Sequence, residues 1–166
     1  MIISQSAEYA LRAAVLLARA GDQSMNTPQL AEASKIPSQY LAKVLQNLRR
    51  AGIVTSQRGI GGGFALTRPP RQITILEVVN AIDPVERIHT CPLKLESHGT
   101  NLCPLHRKLD DAIATVERTL GGSTLAQIAV VREGATSVCR ELVGPETRSS
   151  NRECPRSAEE KPKPGR

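Results

Sequence analysis

A chain of 166 residues, 40% of them hydrophobic, holds one domain's core with length left over for accessory helices, and its whole aromatic set is Tyr9, Tyr40 and Phe64. So few rings argue against single-stranded nucleic-acid binding, which relies on aromatic platforms for base stacking. The net charge of +6 is uneven: residues 1–75 carry nine Lys/Arg against three acids, while 76–143 lean acidic, the distribution a phosphate-backbone footprint requires, although a merely solvated basic face would carry the same charge.

The first apolar stretch is interrupted by Glu8, Arg12 and Arg19, and no small-residue cleavage site follows. No apolar run is long enough to span a bilayer, so the expectation is a cytoplasmic chain without membrane contact. Four cysteines at irregular spacing point to metal or redox chemistry before a disulfide scaffold.

From Ser6 to Ala20, residues Ala7, Ala10, Leu11, Ala14, Val15 and Ala18 recur at three- and four-residue steps, which predicts one apolar helix face. Thr27-Pro28 reads as a hydroxyl cap followed by a ring tolerated in the first turn, opening a short helix through Leu30 and Ala33. Ile36-Pro37-Ser38 turns the chain into a second helix, with Ser38 as its expected cap. Leu41, Val44, Leu45 and Leu48 form its core stripe, opposite a polar face of Gln39, Lys43, Gln46, Asn47 and Arg50. Gly52 stands where a left-handed residue ends a helix. Two short helices around a tight turn, the second with a Gln/Asn/Lys/Arg face, make a helix-turn-helix.

Ile53–Arg58 and Gly63–Thr67 then read as two strands joined by a glycine-rich tip, a hairpin wing with Arg58 beside it. Its bare backbone suits approach to phosphates or to a minor groove. Thr74-Ile75-Leu76-Glu77 is a capping box, opening a helix expected to bury Ile75, Val78, Val79 and Ile82 before Asp83-Pro84 stops it. Residues 88–103 read as an irregular loop with Cys91, His98, Gly99 and Cys103. Pro104 opens a long helix with Leu105, Leu109, Ile113, Val116 and Leu120 along one stripe, suited to pairing with a copy of itself or to packing on its own domain. Gly121-Gly122 ends it, and Thr124 starts a further helix through Leu125, Ile128 and Val131. From about residue 144 the composition is that of a disordered tail.

The runs Ser38-Gln39-Tyr40-Leu41-Ala42-Lys43, Leu48-Arg49-Arg50-Ala51-Gly52-Ile53-Val54 and Arg58-Gly59-Ile60-Gly61-Gly62-Gly63-Phe64-Ala65-Leu66 resemble the Rrf-two family of bacterial winged helix-turn-helix transcription regulators, the IscR, NsrR and CymR type. The resemblance covers roughly residues 1–134. It implies a mainly α fold: a winged helix-turn-helix head with a β-hairpin wing, plus a long C-terminal dimerisation helix. The implied division is a DNA-binding domain over 1–83, a cysteine-containing sensor loop over 84–103, a dimerisation helix with a short following helix over 104–134, and the tail over 144–166. It further implies a homodimer reading a palindromic operator in double-stranded DNA.

By that similarity Gln39, Tyr40 and Lys43 face bases or phosphates, and Ser38 touches phosphate besides capping. The chemistry agrees independently, since Gln can pair with an adenine edge and Lys can reach guanine or phosphate. Gln46, Asn47 and Arg50 share that face, and Thr27 and Pro28 are counted with it. Arg58, Gly59, Gly61, Gly62 and Gly63 form the wing contact. Arg49 and Arg50 have a second explanation, because a helix C-terminus attracts cations.

Many members hold an iron–sulfur cluster through three cysteines in the loop. Here the outer two match, as Cys91 and Cys103, but Ser97 occupies the middle position, which excludes a cluster held only by the usual three thiolates. His106 follows Cys103, His98 adjoins the missing position, and Glu8 stands where relatives supply a carboxylate from the second subunit. Three readings stay open: a 2Fe-2S cluster on Cys91, Cys103, His106 and Glu8; a cluster-free thiol pair sensing oxidants directly; or a zinc site. An inert loop is the bland alternative, as is a plain first-turn acid for Glu8. Cys139 and Cys154 read as incidental.

The expected function is therefore a sequence-specific DNA-binding regulator, a repressor, controlled by cluster or cysteine state. A winged-helix protein-interaction adapter would show a more apolar reading face. An enzyme is not expected, since no nucleophile–base pair, phosphate loop or paired carboxylates occur.

Overall fold

The computed structural model describes residues 3–59, 62–91 and 102–130. Among them, Ile60, Gly61, Ser97, His98, Gly99, Val131, Cys139, Cys154 and the tail do not appear, so the expectations placed on those residues lie outside the described structure.

Helix α1 (Gln5–Ala20) begins at Ser4, whose hydroxyl accepts the Ala7 N–H at 3.2 Å. Its buried residues are Ala7, Ala10, Ala13, Ala14, Leu16 and Leu17, with Leu11, Val15 and Ala18 partly buried against the core. The apolar surface is wider than the single stripe read from the sequence. Alanines remove side-chain bulk from the axis, and elements pack on α1 from several sides.

Helices α2 (Thr27–Ser34) and α3 (Ser38–Arg50) form the expected pair, but both caps differ from expectation. Asn26, not Thr27, caps α2: its side chain accepts the Gln29 N–H at 2.9 Å, and Gln29 Oε1 accepts the Asn26 N–H at 2.9 Å. That reciprocal box satisfies two otherwise unpaired donors, and Thr27 becomes the first helical residue. Ser38 likewise lies inside α3, because the extended Pro37 occupies the cap and its carbonyl accepts the Tyr40 and Leu41 N–H groups at 3.0 and 3.1 Å.

Lys35 ends α2 in a left-handed conformation (φ 56°) and turns the chain toward α3. Leu41, Val44, Leu45 and Leu48 are buried as expected. Each such side chain contributes about 1.5–3 kcal/mol relative to exposure, so the stripe fixes which face of α3 is left outward.

Strands β1 (Val54–Gln57) and β2 (Gly63–Leu66) pair antiparallel, Val54 opposite Leu66 and Gln57 opposite Gly63. Gly52 (φ +71°) lets the chain leave α3 for β1. The wing is fastened to the helix pair by Met25, which exchanges two backbone hydrogen bonds with Phe64 at 3.0 and 2.8 Å. A Cβ on Gly63 would stand 2.5 Å from the Met25 carbonyl. Gly63→Ala is therefore expected to destabilise the head by about 1–3 kcal/mol, the usual range for overpacking. Urea unfolding checks this, and an unchanged midpoint would show that Met25 can yield.

A 3₁₀ turn (Pro70–Gln72) leads to α4 (Ile75–Asn80), capped by the Thr74–Glu77 box read from the sequence. Val78 and Val79 are buried, whereas Ile75 and Ile82 are only partly so. The long α5 (Pro104–Gly121) and the short α6 (Leu125–Ala129) complete the order. The turn between them is tied to the head by Ile75 N–H to the Ser123 carbonyl and Leu125 N–H to the Ile73 carbonyl, both 2.9 Å. Leu125 is fully buried in the head core, so α6 packs as part of the head.

In contrast, α5 has no buried residue, and Leu105 and Leu109 of its stripe are 62% and 46% exposed. No described helix is long and apolar enough to cross a membrane.

Candidate DNA-reading face and cysteine–histidine site

With its stripe buried, α3 turns Gln39, Tyr40, Lys43, Gln46 and Arg50 outward, and Asn47 is partly exposed on the same side. Among the described residues Lys43, Arg50 and Arg58 have no salt-bridge partner, so their charges are available to an external anion. Arg49 differs: its guanidinium donates to Ser56 Oγ at 3.3 Å and braces the helix end against β1. Tyr40 lies with its ring centroid 6.4 Å from that of Tyr9, so α1 supports the start of the reading helix. Thr27 is partly exposed and Pro28 exposed at the start of α2.

In the wing, Gly59 has φ +108° and opens the tip. Gly62 and Gly63 have packing reasons of their own, since a Cβ would stand 2.5 Å from the Gln57 carbonyl or from Met25. Their glycine character is explained without DNA.

The second constellation is the loop site. Cys91 Sγ, Cys103 Sγ and a His106 ring nitrogen all lie within 4.8 Å of one another. His106 Nδ1 stands 3.1 Å from the Cys103 sulfur and 3.6 Å from that of Cys91. The helix makes this possible: Cys103 takes the position before α5, Pro104 its first, and His106 the third, one turn on.

The Cys103 thiol is lowered to about 7, first by the backbone N–H of His106 and then by its imidazole. The backbone pair falls short of a capping hydrogen bond, so the N–H acts as a dipole at a helix start, which favours thiolate. Cys91 is 7% exposed, so the two sulfurs are placed asymmetrically.

Two soft thiolates and an imidazole are a donor set for iron or zinc, and they fit three positions of a four-ligand site. Glu8 is not in this group: its carboxylate pairs with Arg12, one turn along α1. That pair is partly exposed, the kind of surface ion pair that contributes little to stability.

One feature of the site escaped the sequence reading. Arg87 makes a two-point contact with Asp110, Nε to Oδ1 and Nη2 to Oδ2, both 2.6 Å. Ile88 N–H adds a third bond to Asp110 Oδ1 at 3.0 Å. The Arg87 contact, followed by that N–H, holds the Asp110 carboxyl down at about 2. The partners are 23 residues apart and carry no motif.

Residues 3–130 match the family model described as "Rrf2: Iron-dependent Transcriptional regulator". Two curated relatives carry the name "Putative HTH-type transcriptional regulator". The one from Aquifex aeolicus is 30% identical over 136 residues, covering 80% of this chain and 94% of its own. The one from Mycobacterium tuberculosis is 38% identical over 134 residues, covering 78% and 81%.

Among solved structures, CymR, the global cysteine regulator of B. subtilis, has a TM-score of 0.65 at 26% identity, over 78% of this chain and 96% of that one. IscR of T. potens has a TM-score of 0.65 at 23% identity, over 81% and 94%, a likeness of fold.

Proposed function

This chain belongs to the Rrf2 family of DNA-binding transcriptional regulators, and from that premise we propose that it is a homodimeric repressor whose operator affinity follows the state of the Cys91–Cys103–His106 site. The observation that carries the DNA-reading part is the outward face of α3 beside the wing, where Lys43, Arg50 and Arg58 form no salt bridge among the described residues.

In this reading Gln39, Tyr40, Lys43, Gln46, Asn47 and Arg50 enter the major groove. Ser38, Thr27 and Pro28 meet the flanking backbone, and Arg58 with the wing glycines tracks the minor groove or its walls. Lys43→Ala and Arg58→Ala are each expected to weaken operator binding and to flatten its salt dependence by about one unit of log–log slope if the side chain meets phosphate. Fluorescence anisotropy across a salt series measures it. Unchanged slopes for both would remove them from the contact surface.

The sensing part rests on the donor trio within 4.8 Å. Cys91, Cys103 and His106 would hold a 2Fe-2S cluster or a single metal ion, with Glu8 of a second copy as the fourth ligand. When bound, a cluster supplies one-electron redox chemistry and lability toward oxidants. The chain's own contribution is mechanical. Cys91 lies on the segment that leaves α4, Cys103 and His106 begin α5, and α5 is fastened to the head at its far end through Ser123 and Leu125. Joining or releasing Cys91 at α5 changes the angle between head and helix. In a dimer that alters half-site spacing.

A second reading, direct thiol sensing, is favoured by the Cys103 thiol near 7 beside a second sulfur. In metal-free protein it expects alkylation of Cys103 to rise to half its maximum near that pH.

A further inference from the structure

We infer that Arg87 and Asp110 form a positioning clamp that holds the Cys91 sulfur against Cys103 and His106. This rests on the sensing role proposed for that trio. Asp110 lies one turn beyond His106 on α5, and Glu117 lies two turns further along the same side. The segment from α4 follows that side. Arg87 bonds Asp110 at two points and approaches Glu117 at 3.8 Å, Ile88 N–H bonds Asp110, and Cys91 meets His106.

Only two residues separate Ile88 from Cys91, and an extended chain advances at most ~3.3–3.6 Å per residue. Pinning Ile88 to Asp110 therefore confines the Cys91 sulfur to a small volume around the start of α5. The planar guanidinium fork makes the pin directional as well as charged, which a lysine would not reproduce. At its other end the segment is fixed to the head, where Val85 N–H donates to Asn80 Oδ1 at 2.9 Å. The clamp thus lies on the route from the sulfur site to α4.

The test uses the full chain, reduced and metal-free, with alkylation of Cys91 followed by peptide mass spectrometry and cobalt(II) binding followed by its visible absorption. Asp110→Asn and Arg87→Gln are each expected to speed Cys91 alkylation about tenfold or more. They should also weaken cobalt binding by about 10- to 100-fold, the usual effect of losing a residue that orients a ligand. Lys108→Ala, an exposed change on the same helix, should leave both unchanged. Arg87→Lys should fall between wild type and Arg87→Gln, and it carries the comparison if either other variant fails to fold by circular dichroism.

Unchanged Cys91 alkylation in the folded clamp variants overturns the clamp. If the wild type takes up no cobalt, the metal reading of the trio fails instead, and the alkylation rates still decide the clamp.

Discussion

Replacing Leu105 and Leu109 together by aspartate is expected to turn a dimer into a monomer and to weaken operator binding by about 100- to 10,000-fold. That is the avidity lost when two linked heads become independent. Leu105 and Leu109 open the α5 stripe at 62% and 46% exposed, and the helix has no buried residue of its own. Among the described residues the head leaves these two leucines uncovered, while Ile113, Val116 and Leu120 further along the stripe are partly buried where α5 meets α4.

An apolar stripe on an 18-residue helix is the seam expected of a helix paired with its copy. Both side chains are solvent-facing within one chain, so the variant should still fold, with its unfolding midpoint lowered only by the lost association and no longer dependent on protein concentration. Analytical ultracentrifugation with anisotropy checks the two effects together. A variant that stays dimeric, or a wild type that is monomeric at micromolar concentration and still binds its operator tightly, would set the pairing helix aside.

The second large effect is expected at the sulfur site. Cys103→Ser should reduce iron in anaerobically purified protein from near-stoichiometric to background, with loss of visible absorption. It should also abolish the change in operator affinity between loaded and metal-free protein. Serine keeps the shape but replaces a soft, readily ionised sulfur by a hydroxyl. The site has no spare ligand among the described residues, since Cys91, Cys103 and His106 are its whole cluster. The wild-type response should lie in the usual range of allosteric coupling, about 5- to 150-fold. Metal content and response equal to wild type would place sensing elsewhere. A metal-free wild type that still responds to oxidants through Cys91 and Cys103 would select the thiol reading.

How much of this was legible in sequence differs from element to element. The α3 stripe was readable because four apolar residues at helical spacing have one way to be buried, and all four are. The Thr74–Glu77 box was readable because its partners are three residues apart. Asn26-Thr27-Pro28-Gln29 carried the same signal, but the Thr-Pro pair competed with it for the cap. Gly63 reads equally as a DNA-approaching glycine and as one making room for Met25, and only the fold brings Met25 beside it.

The place of Leu125 in the head core and the pairing of Arg87 with Asp110 depend on contacts across long stretches of chain. Local periodicity does not encode such pairings. At the loop site, Cys91, Cys103 and His106 were singled out through the family resemblance, whereas the deeper burial of Cys91 has no local signature in the sequence.

The central claim, a dimer of winged heads reading duplex DNA, is tested most directly by selecting randomised double-stranded DNA on the full-length wild-type protein under anaerobic conditions. The selected pool should be enriched in an inverted repeat whose half-sites are centred about one helical turn, or a multiple of it, apart. The enriched duplex should bind at least ~1,000-fold more tightly than random duplex at physiological salt. A pool that never departs from random sequence, or an enriched duplex bound no better than random DNA, would contradict it.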